Sequence, residues 1–226
     1  MRTSSGGAVF PSLVILLTYG PRPISRAALR GYARMLPGVP VEQIAIFAGE
    51  NVTARLERLL RAAGNQPVLL VHDDVTILPK SIERLTTVAL RGTQVAVPVT
   101  NDNNCDHFVG SLPEGRLAMA ALASAERSRD DLTRSVERVR PICMVGRASS
   151  LYDFLTFRVH DPLSTFSGGG DNLIVVDNAI AAHDLQCVSR IRSIHPAKDE
   201  TLLVASMIVK DESAMLPDCL ESLHGV

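Results

Sequence analysis

The chain has 226 residues, of which 46% are hydrophobic and 21% charged, enough apolar content for a core and too much for a disordered chain. Its formal net charge of -1 gives no electrostatic case for nucleic acid or an anionic membrane as a main partner. No apolar run nears the roughly 20 residues that a bilayer span needs, and the early run Leu13–Leu17 is too short for a signal-peptide core. The four cysteines, Cys105, Cys143, Cys187 and Cys219, lack CxxC spacing and read as reduced thiols, the pattern expected of a cytoplasmic protein.

Residues 1–11, with Ser4-Ser5-Gly6-Gly7, read as a loose leader. Ser12–Thr18 is then a continuous apolar strand, halted by Tyr19-Gly20-Pro21. Ser25 is placed to cap a helix whose Leu29, Tyr32, Met35 and Leu36 share a face. Gln43–Phe47 is a short strand. Asn51 is placed to cap a second helix, with Val52, Leu56, Leu59 and Leu60 at helical spacing and Gly64-Asn65 closing it. Pro67–Val71 is a strand, Ser81–Leu90 a helix and Gln94–Val99 a strand. A polar loop covers residues 100–115, and a long helix is expected from Arg116 to about Arg138, ahead of Pro141. Ile142–Val145 is strand-like, and Asn172–Ala182 is extended. Leu202–Val209 reads as a further strand, followed by a helix with Leu216, Leu220 and Leu223.

Apolar strands separated by helices imply an α/β fold, a mostly parallel sheet with helices on both faces. Ligands of such sheets sit at the carboxyl ends of the strands. Thr18-Tyr19-Gly20, Gly49-Glu50-Asn51, His72-Asp73-Asp74 and Thr100-Asn101-Asp102 all fall at those ends. Among them "LLVHDDVTILP", residues 69–79, is the most demanding. Adjacent carboxylates at the end of a buried strand cost energy unless a cation, a basic group or water compensates.

The order of these segments resembles the family 2 glycosyltransferases, which have the GT-A fold. In that family an apolar strand runs into a DxD-like triplet, with a hydrophobic residue and a proline after it. Here the triplet is His72-Asp73-Asp74, with Val75 and Pro79 following. "VAVPVTN", residues 95–101, matches the family's next strand, which ends in a proline and an asparagine. "PICMVGR", residues 141–147, and "VVDNAIAAHD", residues 175–184, are similar to its later strands, the last closing on an Asp/His element. The resemblance spans about residues 12–185 and places one glycosyltransferase domain over residues 12–200. "ASMIVKDESAMLPDCLESL", residues 205–223, looks like the opening of a second such domain, so residues 201–226 are expected to be its first strand and helix; the plainer reading packs them on the first sheet.

The resemblance implies an inverting transfer of a sugar from a nucleotide-diphosphate donor to the hydroxyl of a glycan, lipid-linked or protein acceptor. Asp74 would hold Mg²⁺ or Mn²⁺ on the donor diphosphate, with His183 as second ligand; the plainer readings are a solvated turn and a structural histidine. Thr18, Tyr19, Gly20, Glu50, Asn51, His72 and Asp73 would line the nucleotide. Glu50 and Asn51 stand where the family has a base-contacting aspartate. Asp171 in "FSGGGDN" is the carboxylate left where the family has its acidic acceptor helix, so it is the expected general base. A degenerate, non-catalytic module that docks a neighbouring transferase or binds a glycan is the alternative, and a sugar-phosphate nucleotidyltransferase ranks third. A cytoplasmic enzyme working peripherally at a membrane surface fits the same residues.

Overall fold

The computed structural model describes residues 8–18, 23–45, 52–92, 94–101, 132–136, 138–139, 141–155, 166–167 and 173–183. The chain divides into two compact units, Met1–Cys187 and Val188–Val226, and every described residue lies in the first. The expected leader before residue 8, the loop and helix over 102–131, and the strand and helix after residue 200 lie outside the described residues.

Strand β1 (Leu13–Thr18) leads to helix α1 (Pro23–Met35), then β2 (Val41–Ala45) and helix α2 (Val52–Ala63). Strand β3 (Pro67–His72), the short β4 (Val75–Ile77), helix α3 (Pro79–Arg91) and β5 (Val95–Thr100) follow. After them come β6 (Thr133–Ser135), β7 (Arg138–Val139), β8 (Cys143–Arg147), helix α4 (Ala148–Leu155), β9 (Phe166–Ser167) and the long β10 (Leu173–His183). The main sheet has the order β2-β1-β3-β8-β5-β10-β4, with β6 also on β10, while β7 and β9 form a separate pair. β1 is parallel to β2 and β3, and β5 is parallel to β10; β8, β4 and β6 run the other way. Five of its eight strands thus share one direction, which is the mostly parallel α/β architecture expected.

Strand alternation sorts the apolar side chains onto two faces. Ile15, Leu17, Val68 and Leu70 point to one, where Leu56 and Leu60 of α2 and Leu151 of α4 cover them. Val14, Leu16, Leu69 and Val71 point to the other, against Tyr32 of α1 and Ile82 and Leu85 of α3. Each such side chain, fully buried, contributes about 1.5–3 kcal/mol. Two expectations about local elements change. Thr133–Ser135 is a strand on β10, not the tail of a long helix, because Ile174–Val176 offer it an edge to pair with. Ser25 is not a helix cap: α1 starts earlier, at Pro23, and the serine is buried within its first turn.

β10 carries the irregularity that shapes the site. Its register on β5 runs Val175 with Val97 and Val176 with Pro98, then jumps to Ile180 with Val99. Residues Asp177, Asn178 and Ala179 are extra on the β10 side, and a bulge of this kind bends a strand. α3 holds it in place. The Ser81 hydroxyl accepts from the Ile180 N–H at 2.9 Å, and the Arg84 guanidinium donates to the Asn178 carbonyl. Beyond the bulge β10 keeps β5 on one side and takes β4 on the other, with His183 in register with Val75.

Candidate functional site

The carboxyl ends of β1, β3, β5 and β10 lie on one rim of the sheet, carrying Thr18, His72, Thr100 and His183. Two residues, Asp73 and Asp74, separate β3 from β4, so the turn they form sits on that rim as well. The turn is firmly held. The Asp73 N–H donates to the Leu17 carbonyl at 3.0 Å, and the His72 N–H to the Ile142 carbonyl at 2.9 Å. From below, α1 reaches it twice. The Ser25 hydroxyl donates to the Asp73 carboxylate, and the Tyr32 hydroxyl donates to the Val75 carbonyl at 3.3 Å.

The two neighbouring carboxylates therefore have different surroundings. Asp73 is tied to α1, while Asp74 faces β10. Its Oδ2 lies 3.6 Å from His183 Nε2, and both side chains are fully enclosed. That separation is too long for a hydrogen bond. It does suit two donors on one cation: ligand atoms about 2.1 Å from a single ion stand about 3–3.6 Å apart when they are neighbours in its shell. One carboxylate oxygen with one imidazole nitrogen fits Mn²⁺ better than Mg²⁺, which favours oxygen throughout. Among the described residues no group of three or more His, Cys, Asp and Glu could hold a metal.

Of the other candidates, Thr18 is buried and engaged with β2, its hydroxyl accepting from the Gln43 amide at 3.1 Å and directed at the Ile44 carbonyl at 3.5 Å. His72 is wholly buried at the end of β3. Tyr19, Gly20, Glu50, Asn51 and Asp171 lie outside the described residues.

The apolar setting also acts on nearby acids. Burial pushes the Tyr32 phenol well up, and the neighbouring Cys143, Asp74 and Asp73 push it further. Burial likewise raises the Cys143 thiol. Both groups therefore stay protonated beneath the turn at neutral pH.

No family model matches the chain, and no curated protein does. Many solved structures share a fold-level likeness with the chain, and two illustrate it. One is GalNAc-T7 with UDP, GalNAc and Mn²⁺, at 9% identity and a TM-score of 0.43, covering 77% of this chain and 43% of that one. The other is a mannose-1-phosphate geranyltransferase from Thermus thermophilus, at 9% identity and a TM-score of 0.38, covering 75% of each chain. This chain thus spans less than half the length of the first.

Ser25, Tyr32 and Asn101 complete the rim; the sequence places Ser25 as a helix cap, Tyr32 on an apolar helix face and Asn101 in a carboxyl-end cluster, and gives none of them a part beside Asp74 or His183. Their signal is weak because each acts through a partner distant in the chain: Ser25 on Asp73, Tyr32 on Val75 and Asn101 on His183. Asn101 alone carried a hint, as the polar residue that follows a fully buried strand.

Proposed function

We propose that the protein is a GT-A-type transferase of nucleotide-diphosphate sugars, moving the sugar to an acceptor hydroxyl with inversion. The observation that carries this reading is the Asp74–His183 pair, two enclosed side chains from distant parts of the chain held 3.6 Å apart on the carboxyl rim. In this reading the pair holds Mn²⁺ or Mg²⁺, and phosphate oxygens and water complete the shell. The cation supplies neutralisation of the leaving diphosphate. Asp73, fixed by Ser25, and His72 set the turn that aims Asp74, and Thr18, Tyr19, Gly20, Glu50 and Asn51 line the nucleotide side. Asp171 is the base that takes the acceptor proton.

One observation favours a second reading. Asp74 and His183 have no exposed side-chain surface, and a donor diphosphate has to reach them. A degenerate domain would keep the pair as a buried ion pair and use the fold as a docking or glycan-binding module. Calorimetric titration of UDP, GDP and dTDP, with and without Mn²⁺, separates the two. The transferase reading expects one nucleotide to bind in a Mn²⁺-dependent way, and Asp74→Ala to weaken that binding by more than about 100-fold, beyond the usual range for residues behind the ligands. No binding of any of the three by folded protein would sink it in favour of the module. Selective binding of a nucleoside triphosphate with a sugar phosphate would instead point to nucleotidyl transfer.

A further inference from the structure

The ladder between β5 and β10 ends at Thr100 and Ala181, yet one more rung follows, and a side chain makes it. The Asn101 carboxamide accepts from the His183 N–H through Oδ1 at 2.7 Å and donates to the His183 carbonyl through Nδ2 at 2.9 Å. A carboxamide carries the same donor and acceptor as a peptide unit. Asn101 thus substitutes for the next strand residue at the end of the ladder. Both residues are buried, Asn101 at 8% exposure and His183 at 1%, so water is a poor substitute for either bond. On the opposite edge of β10, His183 is in register with Val75, the neighbour of Asp74. The main chain of His183 is therefore fixed from two sides, and its backbone cannot carry the ring away from Asp74 without breaking the Asn101 rung.

We infer that Asn101 is a positioning residue for the metal pair: its carboxamide locks the His183 peptide so that the imidazole stays within reach of the ion held by Asp74. This rests on the cation reading above. Groups behind metal ligands commonly change affinity by about 10- to 100-fold when removed, because the ligand must then be ordered by the ion itself.

The test compares the wild type with Asn101→Leu, Asn101→Ser, Asp74→Ala and Leu60→Ala. Leu60→Ala empties a core position on α2, away from the rim, and reports what lost stability alone does. MnCl₂ is titrated by calorimetry in the presence of UDP, GDP or dTDP, and exchange of the His183 amide is followed by NMR. The expected result is Mn²⁺ affinity down by about 10- to 100-fold in both Asn101 variants, with faster His183 exchange, while Leu60→Ala keeps the wild-type affinity. If Asn101→Leu does not fold, Asn101→Ser decides, since it removes the carboxamide without adding apolar bulk. Wild-type Mn²⁺ affinity in folded Asn101 variants, with loss in Asp74→Ala, overturns the positioning role and leaves the cation reading standing. An equal loss in Leu60→Ala also overturns it, since instability alone would then account for the effect. No Mn²⁺ binding by the wild type overturns both together.

Discussion

The two halves of the sheet are built on different logic. In β2-β1-β3 the strands are parallel, the register is unbroken, β1 and β2 are each followed by a helix, and β3 by a tight turn into β4. In β8-β5-β10-β4 directions are mixed, β8 and β4 running against β5 and β10; β10 carries three extra residues and its partners come from far along the chain. The first half is local packing. The second depends on a few polar side chains, Ser81, Arg84 and Asn101, that satisfy the backbone where the ladder fails. The Asp73-Asp74 turn is where the halves meet, as the last residues before the chain leaves β3 for β4.

Removing bulk from the first half gives the largest expected effect. Leu69 of β3 is wholly buried between β1 and β8. Leu69→Ala should cost about 2–5 kcal/mol, read as a lower urea midpoint with an unchanged slope. A loss under about 1 kcal/mol would mean that this half is not the well-packed core described. In the second half the comparable probe is polar. Ser81→Ala leaves the Ile180 N–H of the bulge without its acceptor and should cost about 1–3 kcal/mol, with faster exchange of that amide. An unaffected Ile180 amide would show that the bulge does not depend on α3.

Gly64, at the end of α2, tests the local logic at smaller scale. Its φ of +63° closes the helix in the left-handed region, and space around it is open. Gly64→Ala should therefore cost about 1–2 kcal/mol from backbone strain alone, seen as a small drop in Tm.

The same division governs how much of the molecule is legible in its amino-acid sequence. α1, α2, α3 and strands β1, β3 and β5 are visible as periodic or continuous apolar runs because their signals are local. The reversal of β8, the bulge and β6 are not, because an edge far away in sequence decides them; Thr133–Ser135 is polar, and only the presence of β10 makes it a strand. At the site, Asp74 and His183 stood out as polar residues ending apolar runs. Their proximity did not follow from those runs, since it arises from β4 pairing with β10 after the bulge. Ser25 looked like a cap because the start of a helix is the usual place for serine; its partner Asp73 is 48 positions away.

Cys143 lies at the seam between the halves, on β8 opposite Val71, and gives the smallest and most specific prediction. Burial raises its thiol far above the ordinary value of about 8.5. The folded chain then keeps the proton that the unfolded chain releases as pH climbs past that value. Stability from this source is fully present below about pH 8.5 and drains away as pH rises toward the folded thiol's own range. One such group costs about 1 kcal/mol between about pH 8.5 and 9.5. Tyr32, raised by burial and then by Cys143, Asp74 and Asp73, adds a second decline above about pH 10. Cys143→Ala should flatten the first part of the alkaline fall in Tm and leave the second, whatever its own effect at neutral pH. If the substitution left the slope between about pH 8.5 and 9.5 unchanged, the seam would have to admit water when the protein is folded. The contrast between a packed half and a polar-pinned half would then fail at its boundary.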